Sequence, residues 1–362
     1  MSSNKLQHYS QLDGLRCFAI LFVMIGHWMS WNTENVFLKH APWGHGVILF
    51  FVLSGYLISN ILFELKEKID DGLITHSQAL KTFYYRRFLR IFPIYYLLIF
   101  FLYYIDHANT REIFPWLVTY TSNLLQCKTG NYIGDFNHFW SLAVEEQFYI
   151  IWPFLILFVK RNKFMKLIVL FMIISFFSRT TCHFISKENW MLSGYFTPNL
   201  FLPLALGSLL AYAKRYRPNI MGVFENSLWL YVSVAAYCMA YYLFHYKFQI
   251  AAYDLILDEY LFAFSCAFFI AKASSNGFKF IGKWILEHDM VTFTGKISYG
   301  LYVYHLFVIG FFWNYLALEY KIHSENKYAT WLIYFLIAYL LAILSYYIIE
   351  KPINKLKDRS TY

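Results

Sequence analysis

Between Leu15 and Ile349 the chain is a succession of apolar runs, each close to the length of a membrane-crossing helix and separated by short polar stretches. Inside a bilayer every backbone polar group has to be satisfied within the protein, so runs of this length read as helices. Ten can be placed, at 14–31, 44–62, 88–105, 140–159, 166–181, 196–213, 226–245, 255–271, 297–317 and 330–349. A further stretch, 113–125, is short and interrupted by Pro115, Thr119, Thr121 and Asn123, and reads as an interfacial segment. Composition points the same way. Of 362 residues, 59% are apolar and 15% charged, and 38 Phe, 32 Tyr and 11 Trp add more greasy surface than one soluble core can bury. Disordered, coiled-coil and collagen-like chains are excluded on the same grounds. The expected fold class is all-α: a polytopic bundle of about ten transmembrane helices forming a single domain over 1–362, with no room for a large soluble domain.

The net charge of +9 would suggest nucleic acid on a soluble protein; on this one it reads as basic cytoplasmic loops and no nucleic-acid partner. With the N-terminus inside, 23 of the 31 Lys and Arg residues fall on the cytoplasmic side, as the positive-inside rule asks. Counting 113–125 as a span would spoil that ratio, so both termini are expected in the cytoplasm. The first run contains Arg16, His27 and Trp28 and no small-residue cleavage site follows it, so it reads as a retained span rather than a signal peptide. The five cysteines form no CxxC and their odd number implies no disulfide framework and no zinc site. One bridge, Cys127–Cys182, could join two outer loops.

A charged group in the hydrocarbon region costs about 2.5–3.5 kcal/mol on insertion scales, so each one needs a reason. Arg16 and His27 are eleven residues apart, three turns plus about 20°, and share one helix face about 16 Å apart along the axis. Packing roles suit them too: a snorkelling anchor for Arg16 and an interhelical hydrogen bond for His27. In GHGVILFFVLSGYLIS, residues Gly44, Gly46, Ser54 and Gly55 permit close helix approach, and Ser54 has no base beside it in sequence to make it a nucleophile. The third span is entered through YYRRFLRIFPIYY. There Arg87 and Arg90 share a face, with Arg86 four residues before Arg90, and could present planar forks to phosphates. The fourth, FWSLAVEEQFYIIWP, aligns Ser141, Glu145, Tyr149 and Trp152 in one stripe, while Glu146 points about 100° away. This stripe is the hardest feature to excuse as packing. In GKISYGLYVYH, Tyr299, Tyr302 and His305 step by three along a helix, and Glu350 lies at the end of the last span.

Taken together, Arg16-x10-His27, GVILFFVLSGYL, the RFLR pair Arg87 and Arg90, SLAVEEQFY, KISYGLYVYH and the terminal EKP resemble the acyltransferase family 3 integral membrane proteins, and among them the bacterial O-antigen O-acetyltransferases. The resemblance runs from residue 12 to 352. It departs at Ile48, where relatives often carry a polar residue, so no role is assigned there. Some relatives add a C-terminal SGNH hydrolase-like domain; the present sequence stops at Tyr362, so the membrane domain or a separate partner would complete transfer.

The resemblance implies an O-acyltransferase of a bacterial inner membrane, moving an acetyl group from cytoplasmic acetyl-CoA to a hydroxyl of a surface glycan such as O-antigen or exopolysaccharide. Acetyl-CoA is the donor substrate, the acceptor could be lipid-linked, and no metal is called for. Arg16, Arg87 and Arg90 would hold the CoA phosphates. The rise from Arg16 to His27 is comparable to a pantetheine arm. His27 would be general base or acyl carrier, and Glu145 would orient it and stabilise its protonated form. Tyr149, Tyr299 and His305 are candidates for the oxyanion donor. Two other classes compete. A transporter of a small anionic or acyl-bearing solute would release no CoA on adding acceptor, although no inverted repeat favours it. A receptor or scaffold would tolerate Glu145→Gln without loss of glycan modification. The topology itself predicts that a cysteine appended after Tyr362 stays unlabelled by an impermeant maleimide in intact cells; labelling would overturn the ten-span arrangement.

Overall fold

The computed structural model describes residues 9–29, 35–186, 188–311 and 327–356. Among them there is no strand. The principal helices are α1 (Ser10–Trp28), α2 (Gly46–Asp70), α3 (His76–Ile105), α4 (Thr110–Val118), α5 (Ser122–Thr129), α6 (Phe139–Phe158) and α7 (Phe164–Ile185). After them come α8 (Phe201–Tyr216), α9 (Ser227–Ala240), α10 (Asp258–Ala273), α11 (Phe280–Leu286), α12 (Asp289–Lys296), α13 (Ser298–Phe311) and α14 (Lys327–Ser345).

Among the described residues, six helical stretches are long and apolar enough to cross a membrane, where ten were expected. They are Trp43–Asp70, His76–Ile105, Phe139–Phe158, Arg161–Ile185, Ser227–Lys247 and Lys327–Lys355. The other four expected spans fall on α1, α8, α10 and α13. Helix α1 has 19 residues but carries Asp13 and Arg16 in its first two turns. Helices α8 and α10 have 16 residues each, about 24 Å of rise against roughly 30 Å of hydrocarbon. Helix α13 is described to Phe311, and residues 312–317 of that expected span lie outside the described residues, as do Ser30 and Trp31 of the first.

Local chemistry explains several boundaries. Helix α3 opens on a capping box: Thr75 Oγ1 accepts from the Gln78 amide at 3.2 Å and Gln78 Oε1 accepts from the Thr75 amide at 2.8 Å. This anchors the helix that carries Arg86, Arg87 and Arg90. The 113–125 segment forms parts of two short helices, α4 and α5, broken at Thr119–Thr121, with Tyr120 at φ 52°. The carbonyls at the end of α4 are satisfied from α3. Tyr95 and Tyr96 donate their hydroxyls to the Leu117 and Val118 oxygens, each at 2.8 Å.

The chain divides into two compact units, 1–53 with 213–298 and 54–212 with 299–362. In the first, α1 is gripped along its length. Gln11 is fully buried, accepts from the Phe278 amide at 3.1 Å and donates to the Phe278 carbonyl and to Glu287 Oε1, at 3.1 and 2.7 Å. Gly295 of α12 lies directly against the Asp13 carbonyl and Gly14 of α1 against the Leu286 carbonyl, so neither position has space for a Cβ. In the second unit Gly55 of α2 meets the Leu204 carbonyl of α8 in the same way. Nearby, Trp152 Nε1 of α6 donates to Ser59 Oγ at 2.8 Å, and Ser59 Oγ donates to Ser208 Oγ of α8 at 2.7 Å. These bonds tie three helices through an apolar interior.

Gly295→Val must push α12 off α1, and overpacking of this kind costs at least about 1–3 kcal/mol. Gly44→Ala meets nothing within 4 Å. Thermal unfolding in detergent is expected to show a clear drop for the first and little change for the second; equal Tm values would refute the close approach.

Candidate functional site

In the unit built from 54–212 and 299–362, Glu145 lies about two turns into α6 and is half-buried, while Glu146 on the next face is buried. The Glu145 carboxylate accepts two hydrogen bonds, from Ser54 Oγ of α2 to Oε1 at 2.7 Å and from the Tyr149 hydroxyl to Oε2 at 3.2 Å. Tyr149 is one turn on along the same stripe, and the Arg87 guanidinium of α3 covers its ring at 5.4 Å from the centroid. Four groups from three helices thus form one polar line through an apolar interior: Ser54, Glu145, Tyr149 and Arg87.

Arg87 also faces the other way. With Arg86 and Arg90 it lines a cavity of about 140 Å³ between α2 and α3, closed by Ile61, Leu65, Thr82 and Phe83. Arg90 is exposed, and Arg86 and Arg87 are half-buried. Three guanidiniums on one small cavity make a strongly cationic pocket suited to phosphate oxygens.

The remaining candidates occupy other places. His305 of α13 is fully buried. Its Nδ1 lies 2.7 Å from the Tyr302 carbonyl, which can only accept, so Nδ1 carries the proton in that bond. Its ring packs edge-to-face on His138, 4.8 Å between centroids. Tyr302 donates to the His138 carbonyl at 2.7 Å and shares a 2.5 Å hydrogen bond with Ser141. Tyr299 donates to the Ile91 carbonyl of α3 at 2.7 Å. In the other unit, Arg16 pairs with Asp13 at 2.6 Å. Helix α1 is unbroken between Arg16 and His27, so the shared face and the rise of about 16 Å hold.

The structure therefore brings Glu145, Tyr149 and Arg87 together, and Arg87 with Arg90. It adds Ser54 and Arg86 to these groups and His138 to the His305 cluster. Ser54 was discounted because no base adjoins it in sequence; its partner is 91 positions away. Nothing in the local pattern marked His138. The adjacency of Arg86 to Arg87 was a usable signal.

The five cysteines are free thiols, so the bridge envisaged between Cys127 and Cys182 is not formed. Cys127 is buried and donates to the Met191 carbonyl, and burial pushes its thiol up to about 12. With Cys127 as the sole cysteine, maleimide at pH 8 is expected to leave the folded protein unmodified and to react after denaturation in SDS. Rapid labelling of folded protein would contradict this environment.

Removing either partner of the Ser54–Glu145 bond should be felt by the other. In a double-mutant cycle of Ser54→Ala and Glu145→Ala, the coupling measured by thermal unfolding is expected at about 1.5–3 kcal/mol, the range for hydrogen bonds to a charged group. Strict additivity would mean the bond does not contribute.

Comparison with known proteins supplies the context for this geometry. No solved structure matches the chain. "Putative O-acetyltransferase SAR0937" of Staphylococcus aureus (strain MRSA252) is 30% identical over 99% of this chain and 60% of its own length. O-acetyltransferase OatA of S. aureus (strain NCTC 8325 / PS 47) is 28% identical over 95% of this chain and 57% of its own. The chain thus spans about three fifths of the length of the curated relatives it matches. The acyltransferase domain model of acyltransferase family 3 matches residues 9–350, essentially the whole helical assembly, and with its span-length apolar helices the chain is a multi-pass membrane protein belonging to that family.

Proposed function

We propose that this chain is a membrane O-acetyltransferase that moves an acetyl group from acyl-CoA to a hydroxyl of a surface glycan. The observation that carries the reading is the double membership of Arg87. One guanidinium belongs both to the cationic cavity with Arg86 and Arg90 and to the Tyr149–Glu145–Ser54 line. A phosphate-bearing donor anchored in that cavity would have its reactive end led toward buried acid–base groups. The names of the staphylococcal relatives support the acetyl group, and the glycan acceptor follows from the family resemblance.

In this scheme Arg86, Arg87 and Arg90 neutralise the CoA phosphates, with Arg16 as a further phosphate ligand on α1. His27 takes the proton from the acceptor hydroxyl as its oxygen attacks the thioester carbonyl. The C–S bond then breaks, the acetyl ester forms, and the thiolate leaves with the proton as CoA–SH. The family resemblance assigns Glu145 as the carboxylate that would balance the imidazolium; within its own unit its charge is steadied by Ser54 and Tyr149. Tyr149 is the preferred donor to the developing oxyanion, since its hydroxyl lies on the polar line. His305 takes no chemical step: fully buried against His138 and Tyr302, it holds α13 to the start of α6.

The test is radiolabel transfer from acetyl-CoA to extracted surface polysaccharide in membranes carrying wild type or His27→Ala. Wild type is expected to transfer label, and His27→Ala to lose at least about 10²-fold, the lower range for a general base. Absence of transfer by folded wild type across a range of acceptors and acyl-CoAs would favour a transporter of an anionic or acyl-bearing solute. Within the same assay, Arg90→Ala is expected to raise the acyl-CoA KM by roughly tenfold, the loss of one charge-assisted hydrogen bond, with kcat little changed. An unchanged KM would remove Arg90 from the phosphate site.

A further inference from the structure

A second cavity lies in the unit built from 1–53 and 213–298, lined by none of the residues given a role in the proposed reaction. It is a groove of about 650 Å³ between α9 and the segment joining α10 to α11. Its floor is apolar: Leu230, Tyr231 and Val234 on one face of α9, and Phe269, Phe278 and Phe280 opposite. Two of these side chains are outward-facing, Tyr231 at 69% and Phe280 at 91% exposure. Helix α9 belongs to the span-length stretch Ser227–Lys247, so a groove along it opens to hydrocarbon.

The end of the groove is cationic. Lys272 and Lys279 both line it. Lys272 Nζ donates to Ser227 Oγ and lies 5.4 Å from the centroid of the Phe278 ring. Lys279 Nζ donates only to the Asn276 carbonyl, at 3.5 Å. Among the described residues neither ammonium has a carboxylate partner. A tight turn separates them in the chain. Asn276 is left-handed at φ 51°, and the Gly277 amide donates to the Lys272 carbonyl at 2.8 Å. A Cβ at Gly277 would come within 2.9 Å of Lys272 Cγ, so glycine lets the turn fold back onto the lysine stem.

We infer that this groove is a binding site for an anionic glycerophospholipid, its acyl chain lying along the apolar face of α9 and its phosphate held between Lys272 and Lys279. An apolar slot alone would accept any lipid tail. Two ammoniums without carboxylate partners at its mouth select a negative headgroup, and basic pockets between membrane helices bind such headgroups elsewhere. The stretch 272–296, with four lysines, is also where the charge pattern places a cytoplasmic loop.

Native mass spectrometry of the full chain in detergent, titrated with phosphatidylglycerol and phosphatidylcholine of identical acyl chains, tests this. Wild type is expected to retain phosphatidylglycerol over phosphatidylcholine by roughly thirtyfold, in line with two basic contacts. Lys272→Gln/Lys279→Gln should abolish the preference while leaving phosphatidylcholine retention unchanged. Ala235→Trp, which fills the groove and leaves both lysines in place, should lose the bound lipid altogether. Lys160→Gln/Lys163→Gln removes the same charge elsewhere and should behave as wild type. Equal retention of the two lipids by wild type, an equal loss in the Lys160/Lys163 control, or displacement of phosphatidylglycerol by added acetyl-CoA would each overturn the assignment.

Discussion

A carboxylate two turns inside an apolar helix has to be stabilised by its neighbours, and much of the second unit is arranged around that demand. Desolvating the charge is unfavourable by several kcal/mol unless hydrogen bonds replace its water. Glu145 receives those bonds from Ser54 and Tyr149, and Ser54 can reach it only because α2 lies close to its neighbours. Gly55, the next residue, lets the α2 backbone meet the Leu204 carbonyl of α8. One turn further on, Ser59 links Trp152 and Ser208. The polar line and the small-residue contacts are therefore one construction, in which close packing makes the hydrogen bonds possible and the hydrogen bonds fix the packing.

The first unit solves a related problem at the end of a helix. Helix α1 brings Gln11, Asp13 and Arg16 into its opening turns, where an apolar helix would normally continue. Asp13 is neutralised by Arg16, Gln11 is satisfied by Phe278 and Glu287, and Gly14 and Gly295 admit the backbones of α11 and α12. A helix with polar opening turns is thereby held by specific contacts as well as by its apolar face.

Much of this was legible in the linear pattern. Runs of apolar residues identified helices, and 3.6-residue periodicity aligned Ser141, Glu145, Tyr149 and Trp152, placed Arg87 with Arg90, and separated Glu145 from Glu146. Span number was less legible. Apolar content set the expected length of α8 and α10, whereas the end of α8 follows from the turn after Tyr216 and the start of α10 from the π-helical turn Tyr253–Leu257. The 113–125 segment was read as one piece because the left-handed Tyr120 and the tyrosine hydroxyls that cap Val118 and Leu117 have no local signature.

The sequence by itself determined which helices form, which carry charge into apolar surroundings, and which side chains share a face within a single helix. Those are properties of neighbours three or four residues apart, and helical geometry propagates them. Only the tertiary structure decided that Ser54 is the partner of Glu145, that Arg86 joins Arg87 and Arg90 on one cavity, that His305 packs on His138, and that Lys272 and Lys279 flank an apolar groove. Each of these pairings depends on which helices approach and at what register. That choice is made by glycines, serines and backbone carbonyls whose individual signals are indistinguishable, in a linear sequence, from those of the small residues that only fill space.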